Sequence, residues 1–179
     1  MVHLSDTQIG KLTTSYDSNI ASKRIKKFGD TITKLVNNRR TGAKVENVVL
    51  MIGGDIVEGE TIFSTQSWVV DSDLWDQAVK TAPKILSDLI LHLASLFRNV
   101  HVTSVPGNHG RPAPKNSSAS PRTNFDMIAT EITRLMVSNT CKDDRITWDV
   151  DHDSFYSVTD VLGHKLLLIH GDQISGGGG

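Results

Sequence analysis

The chain has 179 residues, of which 38% are hydrophobic and 22% are charged, with a formal net charge of −1 and one cysteine. This length allows one domain with a sizeable core, and the near-neutral charge does not by itself point to a nucleic-acid partner. No apolar run approaches the roughly 20 residues of a membrane-spanning helix, and the N-terminus lacks the features of a secretory signal. We therefore expect no membrane association. Cys141 has no second cysteine with which to form an internal disulfide, which fits a reducing compartment, so we expect a cytoplasmic protein.

Strand-like and helix-like segments alternate over most of the chain. Apolar residues at helical spacing predict three helices: one between Ala21 and Val36, one between Trp75 and Leu96 with a kink at Pro83, and one over 124–138. Runs of β-branched and apolar residues predict strands over 2–5, 45–52, 99–105, 145–150, 154–159 and 165–170. This order predicts a largely parallel sheet covered by helices, followed by an antiparallel portion.

The segment 110–123 contains three prolines and no predicted helix or strand, which favours a long mobile loop. It also carries three basic residues and no acidic residue: Arg111, Lys115 and Arg122. Two interpretations of these charges remain open. The loop is either simply solvated or in contact with a phosphate group, and the second interpretation assigns Arg111 to substrate binding.

Polar residues follow four of the predicted strands at the point where each strand ends. In open α/β sheets, ligands bind at the carboxyl ends of the strands, and neighbouring glycines allow tight turns and close backbone approach. We therefore expect these polar residues to form one site. The four segments are Asp6-Thr7-Gln8, Gly53-Gly54-Asp55-Ile56-Val57-Glu58, Gly107-Asn108-His109-Gly110 and His170-Gly171-Asp172.

Together these segments resemble the signature of the calcineurin-like metallophosphoesterases, including the phage and bacterial members related to repair exonucleases. That signature runs D-x-H, G-D-x-x-[DE], G-N-H-[DE], a later histidine and G-H-x-H, and the resemblance extends from Asp6 to Asp172 in the same order. The family fold is an αββα sandwich of mixed β-sheets flanked by helices, with the metal site at the strand C-terminal ends. The resemblance implies one metallophosphoesterase domain over 1–179.

The resemblance also implies a role for each matching residue. Asp55 would bridge two divalent metal ions, with further ligands from Asp6, Gln8, Asn108 and His170. His109 would act as a general acid or charge stabiliser at the leaving oxygen rather than as a ligand. Glu58 and Asp172 would support the site through hydrogen bonds.

The implied activity is the hydrolysis of a phosphate ester, and more specifically of a phosphodiester, by a metal-bound hydroxide. The partner would be a nucleotide or DNA, so the protein would be a nuclease, a nucleotide phosphodiesterase or a pyrophosphohydrolase. The basic loop favours a nuclease. The cofactors would be two divalent ions, with Mn²⁺ favoured and Fe, Zn, Mg or Ni as alternatives.

The sequence departs from the family pattern at three places. Gln8 stands where a histidine is usual, Gly110 stands where an acidic residue usually orients the histidine, and no G-H-x-H follows His170. We therefore expect the domain to be incomplete at its C-terminal end. A degenerate, non-catalytic domain used for binding or assembly is the alternative interpretation.

Overall fold

The computed structural model describes residues 1–39, 42, 44–114, 119–142 and 144–174. The described residues form six strands and three α-helices. The strands are β1 (Val2–Leu4), β2 (Asn47–Ile52), β3 (Asn99–Ser104), β4 (Ile146–Asp149), β5 (Tyr156–Val161) and β6 (His164–Ile169). The helices are α1 (Ser18–Arg39), α2 (Ala82–Leu96) and α3 (Phe125–Thr140).

The first four strands form one parallel sheet in the order β1-β2-β3-β4, and β5 and β6 pair antiparallel as a hairpin. The predicted parallel sheet with an antiparallel portion is therefore confirmed. Among the described strands, neither sheet is mixed internally, contrary to the sandwich of mixed sheets that we expected. β4 belongs to the parallel sheet because α3 forms a crossover that returns the chain in the same direction as β3.

Alternate residues of β2 face two different layers. Val48, Leu50 and Ile52 join the main core with apolar residues of all three helices. Val49 and Met51 belong to a smaller cluster with residues of the β6 strand. Within the described ranges, the helices thus cover one face of the parallel sheet and the hairpin covers the other.

The second helix begins in an unusual way. A π-helical segment, Asp76–Thr81, precedes α2, and Pro83 stands at the beginning of the α-helical part. Proline has no N–H to donate and its ring crowds the carbonyl four residues earlier, which disfavours an ordinary α-helical turn. The irregularity predicted at Pro83 thus takes the form of a change in helix type.

The loop predicted over 110–123 is described only in part, because residues 115–118 lie outside the described residues, as does the tail 175–179 of the predicted domain. The loop ends in a short 3₁₀ turn, Pro121–Thr123, that leads into α3. None of the helices within the described ranges combines the length and apolar character needed to cross a bilayer.

Candidate metal site at the strand ends

The carboxyl ends of β1 and β2 and the end of the hairpin strand β6 deliver three potential ligands to one place. One ligand atom each from Asp6, Asp55 and His170 lies within 4.8 Å of the others. The parallel pairing of β1 with β2 places the two strand ends at the same edge of the sheet. The predicted convergence of Asp6, Asp55 and His170 at this edge is therefore present.

The backbone is left-handed at three of the polar positions in this cluster. Asp6, Gln8 and Asp55 have φ angles of 54°, 40° and 50°. Such angles are uncommon outside glycine and persist where surrounding contacts hold them. Here the amide of Asp6 donates to the carbonyl of Gly54 at 3.1 Å, and the amide of Gln8 donates to that of Asp55 at 2.9 Å. The two loops therefore fix each other's conformation.

Asp55 is the buried centre of the cluster, with 3% of its surface exposed. Its Oδ1 accepts the backbone N–H of His109 at 2.9 Å, and its Oδ2 lies 3.4 Å from His170 Nε2. Burial raises the pKa of Asp55, but the hydrogen bonds from His170 and His109 outweigh burial and leave the pKa below its ordinary value. A Cβ on Gly107 would lie 2.1 Å from Asp55 Oδ1, so only glycine fits beside this carboxylate.

His170 presents one ring nitrogen to the cluster and anchors the other. Its Nδ1 lies 2.8 Å from the carbonyl oxygen of Gly53, so this nitrogen carries a proton and donates it. Its Nε2 lies 3.1 Å from Asn108 Oδ1 as well as 3.4 Å from Asp55 Oδ2. The hydrogen bond with Asp55 raises the pKa of His170 to about 9 despite the lowering effect of burial.

The donor set around His170 Nε2 fits a divalent cation. Two carboxylates, an amide oxygen and an imidazole nitrogen are ligands of Mn²⁺, Zn²⁺ and related ions. The Nε2 atom faces two oxygen acceptors, an arrangement that needs either a proton or a cation between them. The bond from Nδ1 to the carbonyl of Gly53 is the kind of support that metal-binding histidines usually have.

Gln8 is engaged differently from the other predicted ligands. Its Oε1 accepts a hydrogen bond from Lys11 Nζ at 2.7 Å, and the same ammonium lies 3.7 Å from Glu58 Oε2. A lysine therefore brings a positive charge to the side of the site where Gln8 was predicted to bind metal. A cation at Gln8 Oε1 would share that oxygen with the Lys11 ammonium and would be repelled by its charge.

His109 is buried and held by Glu58. Its Nδ1 lies 2.9 Å from the Glu58 carbonyl oxygen and 3.3 Å from Glu58 Oε2. Its Nε2 lies 3.8 Å from Asp55 Oδ2, so the opposite side of the ring faces the cluster. Burial lowers the pKa of His109, but the hydrogen bond to Glu58 and the charges of Asp55 and Glu58 raise the pKa above its ordinary value.

The start of α3 explains why glycine follows His109. A Cβ on Gly110 would lie 2.3 Å from Asn124 Oδ1 and 2.9 Å from the amide nitrogen of Asp126. An acidic residue does not fit at position 110 because the first turn of α3 lies against it. The groups that contact His109 Nδ1 come instead from Glu58.

Arg111 and Asp172 form an ion pair between the Arg111 Nη2 and Asp172 Oδ2 atoms. Their side chains are only 13% and 15% exposed. The pair joins the loop after His109 to the loop after His170. In the same basic segment Arg122 pairs with Asp153 at 2.7 Å, and Lys115 lies outside the described residues.

Two residues near His109 were not predicted from the sequence. The Nε2 atom of Gln66 donates to the Glu58 carbonyl at 2.6 Å, and Phe63 packs edge-on against the His109 ring at 5.9 Å between centroids. Both come from the irregular segment after β2, where no motif or periodicity marks them. A third missed residue, Asp126, is buried at the start of α3, and burial raises its pKa to about 6 against the lowering effect of backbone hydrogen bonds.

No protein-family model matches the chain, and no curated protein matches it. A role for this site therefore depends on the contacts of its own residues and on the motifs that carry them.

Proposed function

We propose that the protein is a metal-dependent hydrolase of phosphate esters, and in particular of phosphodiesters. The observation that supports this most is the convergence of Asp6, Asp55 and His170 within 4.8 Å, with the His170 Nε2 atom directed at two oxygens. The resemblance of the four strand-end motifs to those of the calcineurin-like metallophosphoesterases points to the same chemistry.

Asp6, Asp55, Asn108 and His170 would hold the cofactor, which we propose to be two divalent ions with Mn²⁺ favoured. Bound there, the ions would supply Lewis-acid polarisation of the phosphate and a more acidic water. Asp6, Asp55 and His170 supply enough ligands at one place to hold one ion. The second ion would need an additional oxygen ligand such as Gln8, whose Oε1 now accepts from Lys11.

His109 would provide the proton for the leaving group. Hydrolysis adds water to phosphorus and breaks a phosphorus–oxygen bond, so the departing oxygen needs one proton. The Nε2 side of the ring faces the cluster while Nδ1 is held by Glu58, whose carboxylate favours the protonated ring. Glu58 would keep this orientation and stabilise the imidazolium.

Hydrolysis of bis(p-nitrophenyl) phosphate in the presence of Mn²⁺ tests the proposal. We expect activity that requires Mn²⁺, is removed by a chelator and falls at least about a hundredfold in His109→Asn. Parallel assays with single-stranded DNA and with a cyclic nucleotide distinguish a nuclease from a nucleotide phosphodiesterase. Activity that persists in full after chelation would overturn the proposal.

A non-catalytic binding domain is the second candidate, and the position of Lys11 favours it. An ammonium bonded to Gln8 Oε1 and close to Glu58 places a fixed positive charge where a second ion would be stabilised. Such a domain would bind at most one Mn²⁺ per chain and would hydrolyse no aryl phosphodiester. Metal stoichiometry and activity, measured on the same preparation, discriminate the two candidates.

A further inference from the structure

Asp126 connects two of the loops that carry site residues. Its Oδ2 accepts the backbone N–H groups of Asp55 at 2.9 Å and Gly107 at 2.8 Å. Its Oδ1 accepts those of Ile56 at 2.9 Å and Val57 at 3.1 Å. One carboxylate therefore binds four amides from the ends of β2 and β3.

The carboxylate of Asp126 does not cap its own helix. The N-cap of α3 is Asn124, whose Oδ1 accepts the amide of Asp126 at 2.8 Å. The Nδ2 of Asn124 donates to the carbonyl of Gly107 at 2.8 Å and so ties the same loop to the helix. With the cap satisfied by Asn124, both Asp126 oxygens are directed across to the strand-end loops.

The bonded amides belong to the site itself. The first is the amide of Asp55, and Gly107 directly precedes Asn108 and His109. The Asp55 carboxylate in turn accepts the His109 amide at 2.9 Å. A displacement of either loop would change the distances between Asp55, Asn108 and His170, from which the cluster is built.

The four N–H donors and the burial of position 126 together require a carboxylate there. Asp126 is 0% exposed, and a buried carboxylate without partners is strongly disfavoured. Four amide donors satisfy both oxygens without a cationic side chain. An asparagine in its place would offer one acceptor oxygen and would direct an NH₂ group at other N–H donors.

We infer that Asp126 is the positioning residue of the site: it fixes the spacing of the Asp55 loop and the Asn108–His109 loop so that their side chains meet at one place. The expected effect of Asp126 on metal binding rests on the proposed function. Its effect on the positions of the two loops is independent of the proposed function.

The test compares Asp126→Asn with Thr133→Val, which removes another buried polar group from α3. Thr133 is 0% exposed, and its hydroxyl donates within the helix, to the carbonyl of Ala129 at 2.7 Å. Amide hydrogen exchange and Mn²⁺ affinity are measured on both folded variants at pH 8. We expect Asp126→Asn to raise the Mn²⁺ dissociation constant at least about tenfold. Exchange should accelerate at least about tenfold at residues 55, 56, 57 and 107, whereas Thr133→Val should change neither quantity at these positions beyond its effect on global stability.

The results separate this inference from the proposed function. If the wild type binds no Mn²⁺ but the exchange pattern changes as expected, the proposed function fails and the positioning role stands. Unchanged exchange at the four amides in a folded Asp126→Asn variant would overturn the inference. If that variant does not fold, amide exchange in the wild type tests the inference. The inference requires the four amides to be as protected as those of β2 and β3, and rapid exchange at these amides would overturn it.

Discussion

The Glu58 carbonyl oxygen lies 2.9 Å from His109 Nδ1, and the Oε2 atom of the same residue lies 3.3 Å from that nitrogen. Glu58 thus contacts His109 through both its backbone and its side chain, on the side of the ring opposite Asp55. The backbone contact fixes the tautomer, and the carboxylate favours the protonated ring.

Replacing Glu58 with glutamine should separate these two contacts. Glu58→Gln keeps the carbonyl and removes the buried negative charge, so the ring keeps its position but loses stabilisation of its protonated form. We expect kcat on an aryl phosphodiester to fall about 10- to 100-fold, with KM and Mn²⁺ affinity changed less than about threefold. Steady-state kinetics and a metal titration measure these quantities. Glu60→Gln is the matched control, and an equal loss of kcat in that variant would contradict the role of Glu58.

Gly110 should not tolerate a side chain. Because a Cβ there would lie 2.3 Å from Asn124 Oδ1, Gly110→Ala should lower the free energy of unfolding by about 1–3 kcal/mol. Urea unfolding measures the change. Gly42→Ala is the control, since a Cβ on Gly42 would meet no atom of the described residues within 4 Å. A fully stable Gly110→Asp variant would show that the acidic residue of the family motif fits here after all.

Arg111 should contribute to substrate binding while it is oriented by Asp172. We expect Arg111→Ala to raise KM about tenfold, equivalent to about 1.4 kcal/mol, while Mn²⁺ affinity stays within about twofold. Asp172→Asn should raise KM less, because it leaves the guanidinium in place. Arg122→Ala is the control from the same basic segment. Arg122 also pairs with an aspartate, but its partner Asp153 is not one of the candidate site residues. An unchanged KM in Arg111→Ala would contradict the assignment.

Lys11 should oppose metal binding. Lys11→Met removes a positive charge beside the site together with its hydrogen bond to Gln8 Oε1. We expect Mn²⁺ to bind about fivefold more tightly, which corresponds to about 1 kcal/mol of relieved repulsion at the protein surface. Calorimetric titration measures the affinity, and Lys23→Met on the exposed face of α1 is the control. Weaker binding in Lys11→Met would mean that Lys11 supports the site instead.

The sequence allowed the helices and strands and the convergence of the candidate site residues to be predicted, but not the contacts that orient these residues. Hydrophobic periodicity marked the three helices, and polar residues after four of the six strands marked the edge where Asp6, Asp55 and His170 meet. The bonds that Asp126 makes join residues 71 and 19 positions away in the chain. Their donors are backbone amides, which every residue except proline has, so no residue pattern reveals them.

Two further contacts, at His109 and at Gln8, also follow from no residue pattern. The main partner of His109 Nδ1 is the backbone carbonyl of Glu58, whereas Gly110 in the sequence indicated only that the usual acidic partner is missing. The Lys11–Gln8 bond forms across a tight turn in which the Lys11 amide also donates to the Gln8 carbonyl at 3.0 Å. Neither contact belongs to a residue motif, so the sequence predicted neither.

The most direct test is the number of Mn²⁺ ions bound per chain after equilibration and dialysis, measured by elemental analysis on the wild type, Asp55→Asn and the exposed control Asp88→Asn. We predict two ions in the wild type and in Asp88→Asn, and a sharp fall in a folded Asp55→Asn variant. A wild type that binds no Mn²⁺, or an Asp55→Asn variant that binds as many ions as the wild type, would contradict a metal centre built on Asp55.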